Sequence, residues 1–125
     1  MIGITYDKET NSVFQHFGET KYFYLFDEKT GEEKIVDNGG FSHRDLIPYI
    51  NSLGVTTLIC GGIGSHAVEG LNYFGIKFIP GVVGNVNKVI KEFKEGNLVG
   101  NPNAMHSCSH DHEEHKHLSR NTYTK

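Results

Sequence analysis

A chain of 125 residues, 37% of them hydrophobic and 22% charged, has the size and composition of one domain with its own core. Its net charge is −3, with nine basic against twelve acidic residues up to position 105 and three against three beyond it, so it has no basic footprint for nucleic acid. No apolar run approaches the ~18 residues of a membrane span, and the start MIGITYDKET lacks the charged and apolar regions of a secretory signal, which together point to the cytosol.

In chain order, IGITY (2–6) is a short apolar run with β-branched residues, and the polar stretch DKETNS after it is expected to be loop. KYFYLFD (21–27) and EKIVDN (33–38) flank a turn in which Gly31 supplies the backbone freedom, so the two should pair as an antiparallel hairpin. Beyond GGFSH, Leu46, Ile47, Ile50 and Leu53 fall on one helical face that Gly54 closes. Pro48 fits the first turn of that helix if Asp45 is the cap; Ser42 is the other candidate.

VTTLIC (55–60) has the near-continuous apolar character of a central parallel strand covered on both faces. SHAVEGLNYFG then reads as a helix burying Ala67, Val68, Leu71 and Phe74, and IKFIP as the next strand. NVNKVIKEFKEG forms the last helix, with Val86, Val89, Ile90 and Phe93 inward and Gly96 at its end. The order βββαβαβα describes a hairpin beside two right-handed crossovers: an α/β domain with a five-stranded mixed sheet.

The turn CGGIGSH joins a buried strand to a helix, at the kind of sheet edge where open α/β folds take their ligands. It is suited to a phosphate, a metal, a larger anionic cofactor or a plain corner. Gly62, Gly64 and Ala67 match the dinucleotide pattern G-x-G-x-x-A, but the next strand ends in IPGVVGN and offers no acid for a ribose, which weakens a nucleotide-binding enzyme. Gly62 is expected to need a positive φ. Cys60 is either a soft ligand at the mouth of the site or a small core residue; His66 is either a ligand or a solvated imidazole.

HFG at 16–18, the aromatic strand after it, GG before the first helix, and ICGGIG followed by A-x-x-x-L-x-x-x-GI occur here in one order. That set resembles the dinitrogenase iron-molybdenum cofactor biosynthesis family, of the NifX type that also forms the C-terminal part of NifB proteins. The resemblance covers about residues 1–100. It implies a ribonuclease H-like three-layer fold with sheet order 3-2-1-4-5 and strand 2 antiparallel. It further implies a non-catalytic accessory or carrier protein that binds an iron-sulfur or iron-molybdenum-type cluster or its precursor and meets cluster-assembly proteins. Nuclease chemistry is not implied, because Asp7 is the only acid just past the first strand and two-metal hydrolysis needs several.

On this resemblance His16, Phe17 and Gly18, with Cys60, Gly61, Gly62, Gly64, Ser65 and His66, are the candidate cofactor-binding residues. Imidazole suits iron and other transition metals. Glu19 after HFG departs from the family, where small or basic residues are usual.

Residues 101–125 form a polar tail expected to be disordered. Within it Cys108, His110, His112, His115 and His117 are close enough in sequence to wrap a transition metal ion loosely, without the two-plus-two spacing of a structural zinc site. A small metallochaperone or metal-storage protein acting through this tail is therefore the alternative function.

Overall fold

A computed structural model describes residues 1–41 and 45–101, together with the backbone of 105–106. Its first strand, β1 (Ile2–Asp7), lies at the middle of the sheet. Ile2, Ile4 and Tyr6 turn to one face and are buried there, whereas Gly3 and Thr5 turn to the other. The chain then reverses at Asn11, whose φ of 55° is the left-handed geometry that asparagine tolerates.

β2 (Ser12–Val13) pairs back antiparallel on β1, with Tyr6 opposite Val13. Ser12 is therefore strand, not loop. A two-residue strand has no periodicity of its own; it forms because Val13 donates to the Gly84 carbonyl, Phe14 and Thr5 bond each other, and Val13 is buried.

β3 (Tyr22–Phe26) and β4 (Glu33–Asp37) form the hairpin, in register from Tyr22 opposite Asp37 to Phe26 opposite Glu33. Gly31 takes φ +79° in the connection and its amide donates to the Asp27 carbonyl. β3 pairs antiparallel with β1, while β5 (Thr57–Ile59) and β7 (Lys77–Ile79) extend the other side in parallel. The order across the sheet is β4-β3-β1-β5-β7, and β2, paired to β1 off this path, makes it a mixed sheet of six strands rather than the five expected, with three α-helices. β5 is shorter than the apolar run 55–60: the Val55 amide donates to the Ile50 carbonyl, and although the Cys60 amide still donates to Ile79 of β7, its carbonyl accepts from Val82 beyond that strand.

The three helices are α1 (Leu46–Ser52), α2 (Ser65–Phe74) and α3 (Val86–Lys94). α1 and α2 bury Leu46, Ile47, Ile50, Val68 and Leu71 with Phe23, Leu25, Leu58 and Phe78 on one face of the sheet. α3 buries Val86, Val89 and Ile90 with Ile4, Phe26, Ile59 and Ile79 on the other. Each such side chain removed from water contributes about 1.5–3 kcal/mol, so both faces are firmly covered.

Asp45 borders α1 but makes no capping hydrogen bond through its side chain, and Ser42 lies outside the described residues. Phe74 does not join the core. It is 38% exposed and stacks edge-on against Tyr73 at the helix end, where the left-handed Gly75 turns the chain toward β7.

Two further short strands, β6 (Ile63–Gly64) and β8 (Met105–His106), pair in parallel apart from the main sheet. Among the described residues no helix is long and apolar enough to cross a membrane.

Candidate cofactor cleft

Parallel strands β1 and β5 end on the same side of the sheet, which sends the segments after them to one edge. Gln15–Phe17 and Gly61–Gly62 meet there backbone to backbone. The Gly62 amide donates to the Gln15 carbonyl, the Phe17 amide donates to the Gly62 carbonyl at 3.0 Å, and His16 forms a parallel bridge with Gly62. Phe17 anchors this contact: its ring is 2% exposed and sits 6.5 Å from that of Phe23. The next residues wind into a short 3-10 turn over Phe17–Glu19.

Between this turn and α2 opens a cleft of about 500 Å³ lined by His16, Phe17, Gly18, Glu19 and the run Gly62 to Ala67. Both imidazoles, His16 and His66, are exposed on it, as is the Glu19 carboxylate. The end of α2 that faces it begins at Gly64, and no side chain caps its first turn. Backbone N–H groups at such an end carry partial positive charge and favour an anion.

The glycines of the turn act through space rather than through φ. None of Gly61, Gly62 and Gly64 has a positive φ, contrary to the expectation for Gly62. A Cβ on Gly61 would lie 2.6 Å from the Gln15 Cα, so glycine there permits the two loops to touch. A Cβ on Gly64 would meet nothing within 4 Å, so glycine there leaves the cleft open.

Of the sequence candidates, His16, Phe17, Gly18, Gly62, Gly64, Ser65 and His66 therefore converge on one cleft. Cys60 and Gly61 do not line it. Cys60 is fully buried in the core with Leu58, Ile63 and Phe78, and burial pushes its thiol up to about 12, so the soft-ligand expectation gives way to the core one. Gly61 sits behind the cleft, where its carbonyl accepts from the Gly81 amide. Glu19, Ile63 and Ala67 also line the cleft, though none is among the candidate cofactor-binding residues; Ala67 closes the G-x-G-x-x-A pattern, and Glu19 and Ile63 adjoin HFG and the glycines. Cys108, His110, His112, His115 and His117 lie outside the described residues.

Among the described residues no three His, Cys, Asp or Glu side chains gather tightly enough to hold a single metal ion. The potential donors on the cleft are the two imidazoles, His16 and His66, and the Glu19 carboxylate. The family model for dinitrogenase iron-molybdenum cofactor proteins matches residues 1–96.

The chain belongs to the dinitrogenase iron-molybdenum cofactor family. It is similar to the crystal structure of PH0822, at 31% identity over 80% of this chain and 93% of that one, with a TM-score of 0.73. The apo form of the orange protein from Desulfovibrio gigas aligns at 25% identity over 80% and 91% of the two chains, with a TM-score of 0.71. A Thermotoga protein described as a NifB candidate of the DUF35 family aligns at 26% over 79% and 90%, with a TM-score of 0.66. No curated protein matches.

Proposed function

We propose that this family member is a non-catalytic carrier that receives an iron-sulfur or iron-molybdenum-type cluster, or a precursor of one, in the cleft between the His16 turn and α2. The observation that carries this reading is the convergence of His16 and His66 on a cleft floored by Gly62 and Gly64 at an uncapped helix start. One relative was solved in a form described as apo, which fits a family that takes up a ligand. The sheet order and the helices on both faces suit a ribonuclease H-like three-layer scaffold, with the cleft at the carboxyl ends of its parallel strands.

The first-turn amides of α2 attract the anionic cargo, and the exposed imidazoles give bonds with direction. Two imidazoles hold a cluster without enclosing it, as release to an assembly partner requires. Glu19 on the same rim disfavours cargo of high negative charge. Anaerobic reconstitution of the full chain with ferric iron, sulfide and a thiol reductant should produce ligand-to-metal absorption bands. The His16→Ala/His66→Ala variant should lose most of that absorbance while its unfolding temperature stays unchanged, since both side chains are exposed. Absence of the bands from the wild type, or their full retention in the variant, would sink this reading.

A further inference from the structure

Imidazoles that bind metals generally take their orientation from a hydrogen-bond partner on the second ring nitrogen. Among the described residues His16 has no such partner: its side chain makes no capping bond at the start of the 3-10 turn. Its ring contact is the Phe14 ring, met edge-on with centroids 6.4 Å apart. The direction of the imidazole is therefore set by the backbone that carries it, at φ −131° and ψ 106°.

Gln15, the residue before it, is where that backbone is held. Its carbonyl accepts the Gly62 amide. Its carboxamide nitrogen has two hydrogens to give, and both are committed to carbonyls: to Val13 at 3.0 Å and to Val82, 67 residues away in the chain, at 3.2 Å. β7 runs parallel to β5, so the loop after it, residues 80–84, reaches the sheet edge that bears the cleft. That loop is itself bound to both neighbouring segments. The Gly81 amide donates to Gly61 at 2.9 Å, the Val82 amide to Cys60 at 3.0 Å, and the Gly84 carbonyl accepts from Val13 at 3.0 Å. The Gln15 side chain lies across Gly61, where a Cβ would come within 2.9 Å of its Cδ. An exposed glutamine ordinarily keeps its rotamer freedom; this one, although exposed, is fixed where the segments after β2, β5 and β7 meet.

We propose that Gln15 is the positioning residue of the cleft: its carboxamide fastens the His16 turn to the 80–84 loop and so sets where the His16 imidazole stands opposite α2. The inference rests on the carrier reading and adds to it the device that orders one of the two imidazoles before cargo arrives. A directional ligand works when it is held within about 0.5 Å of its place. Gln15 does this from behind, since it does not itself line the cleft. It also gives Gly61 a second reason to be glycine, because a side chain there would displace the carboxamide as well as the Gln15 backbone.

The test is Gln15→Met, which keeps the length of the side chain over Gly61 but donates no hydrogen bond. In the free full chain, amide hydrogen exchange should quicken at Gly62 and Phe17, whose N–H groups join the two loops, and stay unchanged in the β1–β3 ladder. After reconstitution with ferric iron, sulfide and a thiol reductant, Gln15→Met should lose its absorption bands to an iron chelator about tenfold faster than the wild type, the lower end of what an outer-shell partner of a metal ligand contributes to affinity. Introduced into His16→Ala, the same substitution should add nothing, because the residue through which it acts is gone. Unchanged exchange at Gly62 and Phe17, or band retention equal to that of the wild type, would overturn the proposal and leave the carrier reading intact. Equal quickening in the β1–β3 ladder would do the same by marking a plain stabilising contact, as would a full additional loss in the His16→Ala background. Bands absent from the wild type would instead overturn the carrier reading and this inference with it.

Discussion

Gly61 and Gly64 lie three residues apart in one glycine-rich turn and do different things. Gly61→Ala drives a Cβ to 2.6 Å from backbone that cannot step aside, so it should destabilise the fold by about 1–3 kcal/mol in denaturant unfolding. Gly64→Ala meets open space at φ −85° and should stay within about 0.5 kcal/mol of wild type while reducing iron-sulfide uptake. Equal stabilities would show that the contact between the His16 and Gly61 loops is soft. Cys60 gives a pH signature: its ordinary value of 9.0 is raised by burial to about 12, so the folded chain retains a proton that the unfolded chain releases. The associated stability is complete below pH 9 and is lost as pH climbs toward 12. Tyr24 is raised in the same direction, to about 12, by burial and by its hydrogen bond to Glu33. Cys60→Ala should therefore flatten the loss of stability between pH 9 and 12 without abolishing it; an unchanged slope in alkaline unfolding curves would contradict the burial of the thiol.

The elements that could be read from the sequence are those whose pattern is longer than their context. The β3–β4 hairpin declared itself through two aromatic or β-branched runs around Gly31, and α3 through Val86, Val89 and Ile90 at helical spacing. Its start is set by Asn85, whose side chain accepts the Asn87 amide at 2.8 Å. Asn85→Ala should cost about 1 kcal/mol in thermal or chemical unfolding, whereas Asn85→Ser should cost little. β2, β6 and β8 were not legible, because two-residue strands carry no period and exist only where distant loops supply their partners. Phe74 matched the α2 stripe yet stays partly exposed, since the helix ends there and Gly75 swings the chain away. The cleft was half legible. HFG and CGGIG marked its two walls, but Glu19 had no motif to mark it and the fate of Cys60 depended on which way one side chain pointed.

At the scale of the whole molecule, long-range and local electrostatics oppose each other at the cleft. The chain carries a net charge of −3 and presents Glu19 on the rim, both of which repel an anion, while the amides at the start of α2 attract one only within about a helical turn. Salt acts unequally on these terms. The Debye length falls from about 30 Å at 0.01 M to about 10 Å at 0.1 M, so added salt screens the distant acidic charge more than contacts made inside the cleft. An approaching anion is slowed by the far field and held by the near one. Association of tetrathiomolybdate, a molybdenum-sulfur dianion, should therefore quicken as salt rises over this range. Glu19→Lys replaces the nearest negative charge by a positive one, a change of two units on a net charge of −3, and should raise the rate at low salt and reverse its salt dependence. Glu19→Gln should fall between the two, which separates charge from side-chain bulk. Stopped-flow rates that fall with salt in the wild type would mean that the cleft already presents positive potential to the solvent, and that Glu19 does not govern which charge of cargo the protein admits.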